Sequence, residues 1–97
     1  MGVAPHNPLG PVANAAALHF ALSTPNFLIQ EDMLTDVPWR WEVVQHSLRT
    51  EKGHWLPATA PGLGIEVNEA AAAKHPFKQE VLHALTVRAH DNAILDW

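Results

Sequence analysis

The fold is decided by the segment Val3-Ala4-Pro5-His6-Asn7-Pro8-Leu9-Gly10-Pro11, which joins an apolar stretch to a helix start. Val3-Ala4 is too short for an independent strand and is typical of the last piece of one. The turn formers that follow end at Pro11, which suits the first turn of a helix because its missing N–H would have no partner there. We therefore expect a helix to begin near Pro11.

The predicted helix is apolar on nearly all sides. Residues 12–22 are rich in alanine and leave almost no polar stripe, which indicates a helix that is buried on most of its surface. After a break at residues 23–26, Phe27-Leu28-Ile29 forms the short apolar run of a strand covered on both faces. Two strands joined by a crossover helix are parallel neighbours, and functional residues lie where such strands end, here at His6 and Glu31.

The second half of the chain carries weaker signals. Between Met33 and Lys52, apolar side chains recur at helical spacing, which predicts a loop leading into one short helix. The residues with this spacing are Trp41, Val44, Gln45 and Leu48. Further on, Ile65 and Val67 share one strand face in a segment whose glycines permit tight turns.

A short helix is predicted near the end of this region. Asn68 suits the N-cap of a helix from Glu69 to His75, with Pro76 as its terminator. From Phe77 to His90 the pattern fits either a further helix or an irregular tail, and the sequence leaves both open.

Composition indicates a chain that does not cover its own apolar surface. The 97 residues are 47% hydrophobic and 16% charged, with four Trp and three Phe. Soluble domains are typically about 25% charged. We expect a further surface, from a missing domain or a partner chain, to cover these side chains, so that the chain is incomplete as an independent domain.

Charge and composition also exclude several classes of function. Ten acids against six scattered bases give a net charge of −4, which argues against binding of nucleic acid. The absence of Cys excludes disulfides and thiolate metal sites, and no apolar run approaches the ~20 residues that span a bilayer. The first residues lack a basic segment and a long apolar run, so we expect a cytoplasmic protein with no membrane partner.

Residues 4–11 resemble the Ala-Pro-His-Cys-Pro-Leu-Gly-Pro segment of galactonate dehydratases, which belong to the mandelate racemase subgroup of the enolase superfamily. The one difference in this segment is Asn7 in place of Cys. The similarity continues through residues 24–31, 56–57 and 61–67 and ends at Trp97. After Glu31 the sequence departs from the loop of those enzymes, which leaves the identity of the substrate open.

The resemblance implies an α/β fold, the C-terminal portion of a (β/α)₈ barrel that a separate α+β domain caps. Residues 1–32 would contribute the end of the seventh strand, the intervening helix and the eighth strand, with His6 and Glu31 at the two strand ends. Residues 33–97 would form a mostly irregular or helical extension that packs on the barrel and on the missing capping domain.

The chemistry implied by the resemblance begins with removal of a proton next to a carboxylate and continues with loss of water. His6 would abstract or exchange the proton, and a protonated Glu31 would donate a hydrogen bond to the enediolate. Mg²⁺ stabilises this intermediate in the family. In those enzymes several groups of the site precede the matched segment: the carboxylate ligands of Mg²⁺, the second acid/base group and the Asp that orients the histidine. We therefore expect no metal ligand in this chain and no activity from the chain alone.

Two alternatives remain beside a sugar-acid dehydratase that acts on an aldonate. One is a racemase or epimerase of the same superfamily, and the other is a non-catalytic remnant that forms homo-oligomers or associates with the missing barrel segments. Judged by local sequence alone, His6 would be an ordinary loop residue and Glu31 a solvated acid, and the resemblance favours catalysis for both.

Two further patterns predict structure rather than chemistry. The other six histidines show no spacing typical of a metal site, and Pro61-Gly62-Leu63-Gly64 lacks the spacing of a phosphate-binding loop. We interpret these histidines as packing or solvent-exposed residues and the glycine segment as a turn.

Overall fold

A computed structural model describes residues 1–33, 36–79 and 90–91. The elements in chain order are α1 (Pro11–Ser23), β1 (Val44–His46), β2 (Arg49–Glu51), β3 (His54–Leu56), β4 (Ile65–Val67) and α2 (Glu69–Ala72). Most of the segment predicted as a helix or an irregular tail, Phe77 to His90, lies outside the described residues, as does the end of the chain at 92–97. In the described part, no helix is long and apolar enough to cross a membrane.

The chain opens with a parallel pairing across a helix, as the sequence predicts. Val3 and Phe27 form a parallel bridge. Val3 donates its backbone N–H to the carbonyl of Asn26 at 2.9 Å and accepts from the N–H of Leu28 at 2.8 Å. Helix α1 begins at Pro11 and connects the two extended segments. This unit brings the residues that follow Val3 and those that follow Phe27 to the same end of the pair.

Helix α1 is buried on one face and not, as predicted, on most sides. Asn14, Ala15 and Leu18 are at most 4% exposed, whereas Phe20 and Leu22 on the other side are 47% and 57% exposed. The strand predicted to be covered on both faces is likewise open, since Leu28 is 71% exposed. Both differences have one physical cause: the described residues supply a covering layer to only one side of this unit.

The short helix predicted between Met33 and Lys52 is wrong. Val44 lies in β1, which pairs antiparallel with β4 in the register Val44↔Val67 and His46↔Ile65. Strands β2 and β3 form a second antiparallel pair, and the turn between them holds Lys52 and Gly53 at positive φ. The spacing misled because buried residues of extended segments can also recur at intervals of three or four. Pairing with distant strands then overrides a weak local periodicity.

The predicted cap of α2 is confirmed and its predicted end is wrong. The side-chain oxygen of Asn68 accepts the backbone N–H of Ala71 at 3.1 Å, the standard interaction of an N-cap. The helix ends at Ala72 rather than at His75. Lys74 and His75 donate instead to carbonyls three residues back, so the last turn is tighter than an α-helix.

The core lies between α1 and the two strand pairs. Ala15 and Leu18 on the helix meet Leu48, which follows β1, and all three are nearly inaccessible to solvent. Half-buried side chains then close around this cluster, namely Trp41, Trp55, Ala58 and Ile65. The second half of the chain therefore packs directly on the strand–helix–strand unit, and in doing so places Trp55 close to the residues that end the second extended segment.

Candidate functional site

The two residues predicted to carry chemistry are in contact. Nδ1 of His6 lies 2.8 Å from Oε2 of Glu31. The same carboxylate oxygen accepts the backbone N–H of Asn7 at 2.6 Å. The contact follows from the parallel pairing of Val3 with Phe27, because His6 and Glu31 come a few residues after the two paired positions. Both side chains reach solvent, with 69% of His6 and 41% of Glu31 exposed.

A second, buried set of polar groups lies beside this pair. The side-chain amide of Asn7 donates to Oδ1 of Asn14 on α1. Asn14 in turn donates from Nδ2 to Oδ1 of Asp32 at 2.6 Å, and the other oxygen of Asp32 accepts the indole N–H of Trp55 at 2.7 Å. Asn7 and Asn14 are only 3% and 2% exposed. A polar group buried this deeply is costly unless it is hydrogen-bonded, and here both amides have partners.

Arg40 holds the other end of the loop that carries His6. Its guanidinium donates from Nη2 to the carbonyl of Leu9, and from Nη1 to both carboxylate oxygens of Asp36 at 3.0 and 2.9 Å. The arginine is 3% exposed. Its Nε is buried and has no partner among the described residues. The loop is thus fixed at Leu9 by a residue from the second half of the chain.

Sequence reasoning predicted His6 and Glu31, whose catalytic roles stay predictions, but did not name Asn14, Asp32, Arg40 and Trp55. A signal for Asn14 was available, since an amide within an alanine-rich, apolar helix must find hydrogen-bond partners if that helix face is buried. Arg40 and Trp55 gave no local signal, because their roles depend on contacts with residues 31 and 23 positions away.

The geometry determines what the site can do chemically. An imidazole in contact with a carboxylate is a proton-exchanging pair, and a solvent-exposed pair is accessible to a small molecule. Glu31 acts as an acceptor toward the N–H of Asn7 in this arrangement. Its expected role as a protonated donor to an enediolate stays a prediction.

The described residues do not fit a Mg²⁺ ion. Within residues 1–33, 36–79 and 90–91, no group of three or more His, Cys, Asp or Glu side chains could hold a metal. Mg²⁺ requires several oxygen ligands in octahedral geometry. Both oxygens of Asp32 already accept hydrogen bonds from Asn14 and Trp55, and Glu31 is engaged by Asn7 and His6. No chemical step through a metal follows from these side chains.

Other predicted structural residues have packing or turn roles. The ring of His75 stacks on Trp39 with centroids 4.1 Å apart, and the ring of His46 lies 4.7 Å from that of Trp41. The glycine segment at 61–64 forms a turn, in which Gly64 donates its N–H to the carbonyl of Pro61 at 3.1 Å. Gly64 has φ +74° and is buried.

A parallel strand–helix–strand unit with polar residues at the carboxyl ends of its strands is the repeating unit of α/β barrel enzymes. The chain belongs to the enolase C-terminal domain-like family, which it matches over residues 1–71. It is 44% identical over 95 residues to a D-galactonate dehydratase family member of Streptomyces bingchenggensis, a match that covers 96% of this chain and 22% of that protein. It is 39% identical over 89 residues to a D-mannonate dehydratase of Caulobacter vibrioides, covering 92% of this chain and 21% of the relative.

Solved structures similar to this chain also belong to enzymes of this kind. A mandelate racemase/muconate lactonizing enzyme from Jannaschia superposes with a TM-score of 0.73 at 38% identity, over 84% of this chain and 21% of that one. An enolase from Pantoea ananatis, solved with bound D-gluconate and Mg, superposes with a TM-score of 0.73 at 35% identity, over 82% and 20%. The chain thus spans about a fifth of the length of these proteins. The predicted fold class is confirmed: the described residues form part of an α/β barrel and no closed barrel.

Proposed function

We propose that this chain supplies the His6–Glu31 pair and the last two strands of the barrel to an acid-sugar dehydratase that acts on an aldonate. The observation that carries the proposal is the 2.8 Å contact between His6 and Glu31 at the ends of parallel-paired segments. It gains weight from the family, whose members similar to this chain include galactonate and mannonate dehydratases.

In the proposed reaction, His6 removes the proton on the carbon next to the substrate carboxylate. The electron pair of the broken C–H bond then forms a carbon–carbon double bond, while the hydroxyl on the neighbouring carbon takes a proton from the second acid/base group, which the resemblance places on the rest of the barrel, and leaves as water. The resulting enol tautomerises to a 2-keto-3-deoxy acid. Glu31 stabilises the negative charge that develops on the substrate carboxylate by a hydrogen bond from its protonated form. Mg²⁺ belongs to this chemistry through the family resemblance, with its ligands on barrel strands that this chain does not contain.

The surface of the chain supports a role as one part of a larger site. We propose that residues 1–32 are the strand–helix–strand unit of the barrel and that residues 33–97 belong to an extension that packs on it and on the remainder of the enzyme. Phe20, Leu22, Leu28 and Ile29 leave a broad apolar area exposed. We propose that the rest of the barrel, or a further copy of the chain, covers this area and that the chain has no activity alone.

The alternative is a racemase or epimerase of the same superfamily. It is favoured by the solved structure from Jannaschia, whose name includes mandelate racemase. Such an enzyme would need the same removal of a proton by His6, followed by its return rather than by loss of water.

Reconstitution tests the proposal. The relative from Streptomyces, deleted of the segment that this chain matches, is mixed with the 97-residue chain and assayed on D-galactonate, D-mannonate and D-gluconate. We expect formation of a 2-keto-3-deoxy acid that requires both components. Exchange of the C2 hydrogen with solvent deuterium, followed by an epimer and no keto acid, would identify the racemase alternative.

The control is the relative's own excised segment, which shows whether the truncated barrel accepts a segment supplied separately. If that control restores turnover, and the present chain binds the truncated barrel but gives neither keto acid nor deuterium exchange, the chain has no catalytic role and the proposal is wrong.

A further inference from the structure

The hydrogen bonds around Asn14 form a closed ring of Asn7, Asn14, Asp32 and Glu31, and the His6–Glu31 contact lies next to it. The side chain of Asn7 donates to Asn14, and Asn14 donates to Asp32. Asp32 is joined by a peptide bond to Glu31, which accepts the backbone N–H of Asn7 and so closes the ring. A ring of this kind fixes the distance between its members more strictly than a linear chain of bonds, because no single member moves without stretching a bond elsewhere.

Asn14 is the member that attaches the ring to the rest of the fold. It lies on α1, is 2% exposed and uses both ends of its amide, one toward each of the two paired segments. Its backbone carbonyl also lies 3.5 Å from Nε2 of Gln30. One side chain therefore contacts the loop that carries His6 and the segment that carries Glu31, without touching either of those two residues.

The residue at position 7 is suited to this ring. The segment around it otherwise resembles a sequence that has Cys here, and a thiol is a weaker hydrogen-bond donor than an amide. The amide of Asn7 is 3% exposed and points into the ring rather than toward the exposed His6. In this chain the residue that stands in place of Cys has a hydrogen-bond partner on α1.

We infer that Asn7 and Asn14 are a matched pair of positioning residues, which holds the loop of His6 at a fixed distance from Glu31 and so sets the geometry of proton transfer. Neither acts on the substrate. The inference rests on the proposed function for its catalytic consequence, whereas the pairing itself is a property of the chain.

Hydrogen exchange in the complete 97-residue chain, labelled with ¹⁵N, tests the pairing without any assay of activity. The backbone N–H at position 7 donates to Glu31 and is kept in every variant, so its protection factor reports the ring. The amide of Leu18 in the middle of α1 reports the stability of the fold. Asn7→Ala and Asn14→Ala each remove one member of the ring. Asn26→Ala is the matched control, because Asn26 is exposed and its side-chain amide donates to the carbonyl of Met1, outside the ring.

We expect the protection factor at position 7, divided by that of Leu18, to fall about tenfold in Asn7→Ala and in Asn14→Ala and to stay within about twofold in Asn26→Ala. The double variant should lose no more than either single variant, since the ring is already open. A general loss of stability lowers the protection factors of both amides together and leaves their ratio unchanged. That result, or an unprotected amide at position 7 in the wild-type chain, overturns the inference.

The reconstituted enzyme separates this inference from the proposed function. We expect Asn14→Ala to lower kcat between about tenfold and a hundredfold with KM within about threefold, as misplacement of a catalytic group does. Unchanged kcat in an active reconstituted enzyme rejects the positioning role and leaves the proposed function intact. If the relative's own segment restores turnover and the wild-type chain binds the truncated barrel without turnover or deuterium exchange, the proposed function is rejected, and the exchange ratios still decide whether the pair exists.

Discussion

The indole N–H of Trp55 donates to Oδ2 of Asp32 at 2.7 Å, across 23 residues of sequence. This bond attaches the β2–β3 pair to the position next to Glu31. The other oxygen of Asp32 is taken by Asn14, so its carboxylate is held from a strand on one side and from α1 on the other. The second half of the chain is therefore part of the support for the site and not a separate appendage.

Trp55→Phe tests this support, because it removes the N–H donor and keeps an aromatic ring in contact with the core. One oxygen of Asp32 then loses its partner, and we expect the free energy of unfolding to fall by about 1–3 kcal/mol in urea denaturation followed by circular dichroism. Trp39→Phe is the control for lost indole volume, since Trp39 stacks on His75 instead. Equal losses in the two variants would show that the hydrogen bond to Asp32 contributes nothing.

Alanine substitutions at Gly62 and Gly64 distinguish the cost of backbone strain from the cost of steric overlap. Both have positive φ, but an added Cβ at Gly64 would lie 2.5 Å from the Cβ of Ala58 and 2.9 Å from Oγ of Ser47, whereas at Gly62 it would meet open space. We expect Gly62→Ala to cost about 1 kcal/mol from strain alone and Gly64→Ala to cost about 1–3 kcal/mol more from overpacking. Urea midpoints of the two variants measure the difference, and equal midpoints would contradict the packing around Ser47.

Asn68→Ala tests the cap of α2. The substitution leaves the backbone N–H of Ala71 without its side-chain acceptor, and the loss of an N-cap typically costs about 1 kcal/mol. We expect faster amide exchange at Ala71 and Ala72, measured by NMR, with little change in α1. Asn68→Asp keeps an acceptor at the same position and should retain protection. Loss of protection in the Asp variant as well would exclude the cap as its source.

His6→Asn tests the proposed base in the reconstituted enzyme. An amide cannot accept the substrate proton, so we expect turnover to fall by about 10²-fold or more, the usual contribution of a general base. His54→Asn is the matched control, because His54 is exposed in β3 and its ring contacts the carbonyl of Lys52. Turnover above a tenth of wild type in His6→Asn would remove this residue from the mechanism.

The exposed apolar area beside the first strand pair predicts self-association of the chain. Leu28 and Ile29 are 71% and 67% exposed, and exposed apolar groups of this size promote contact between molecules. We expect size-exclusion chromatography at micromolar concentration to show oligomers that Leu28→Asp and Ile29→Asp convert toward monomer. Phe77→Asp, at a residue 90% exposed elsewhere, is the control. A wild-type chain that elutes as a monomer would contradict this expectation.

How far the sequence predicted the structure depended on the range of the interaction. The start of α1 at Pro11 and the cap at Asn68 were found, because each depends on a residue's own backbone preference or on partners a few positions away. The parallel pairing of Val3 with Phe27 followed from topology, since an apolar segment, a helix and a second apolar segment have few ways to pack. That pairing is what places His6 beside Glu31.

The region from Met33 to Lys52 was predicted incorrectly because its local pattern was ambiguous. Val44 and Leu48 have helical spacing, and both are buried, but Val44 lies in β1, which pairs with the distant β4, and Leu48 lies between β1 and β2. The spacing of apolar residues indicates which side chains are buried, but it does not indicate whether the backbone is helical or extended. β1 pairs with β4 through residues about twenty positions away, from Val44↔Val67 to His46↔Ile65, and local periodicity carries no information on partners at that distance.

The sequence by itself determined the class of fold, through local backbone constraints, connection topology and a resemblance that the family match bears out. It also predicted His6 and Glu31 as the catalytic pair, and those roles stay predictions. Only the tertiary structure decided which residues support that pair through hydrogen bonds. Asn14 and Trp55 both donate to Asp32, and Arg40 donates to the carbonyl of Leu9. These bonds join residues that are distant along the chain, so they are a consequence of three-dimensional packing, and for Arg40 and Trp55 the local sequence gave no signal of them.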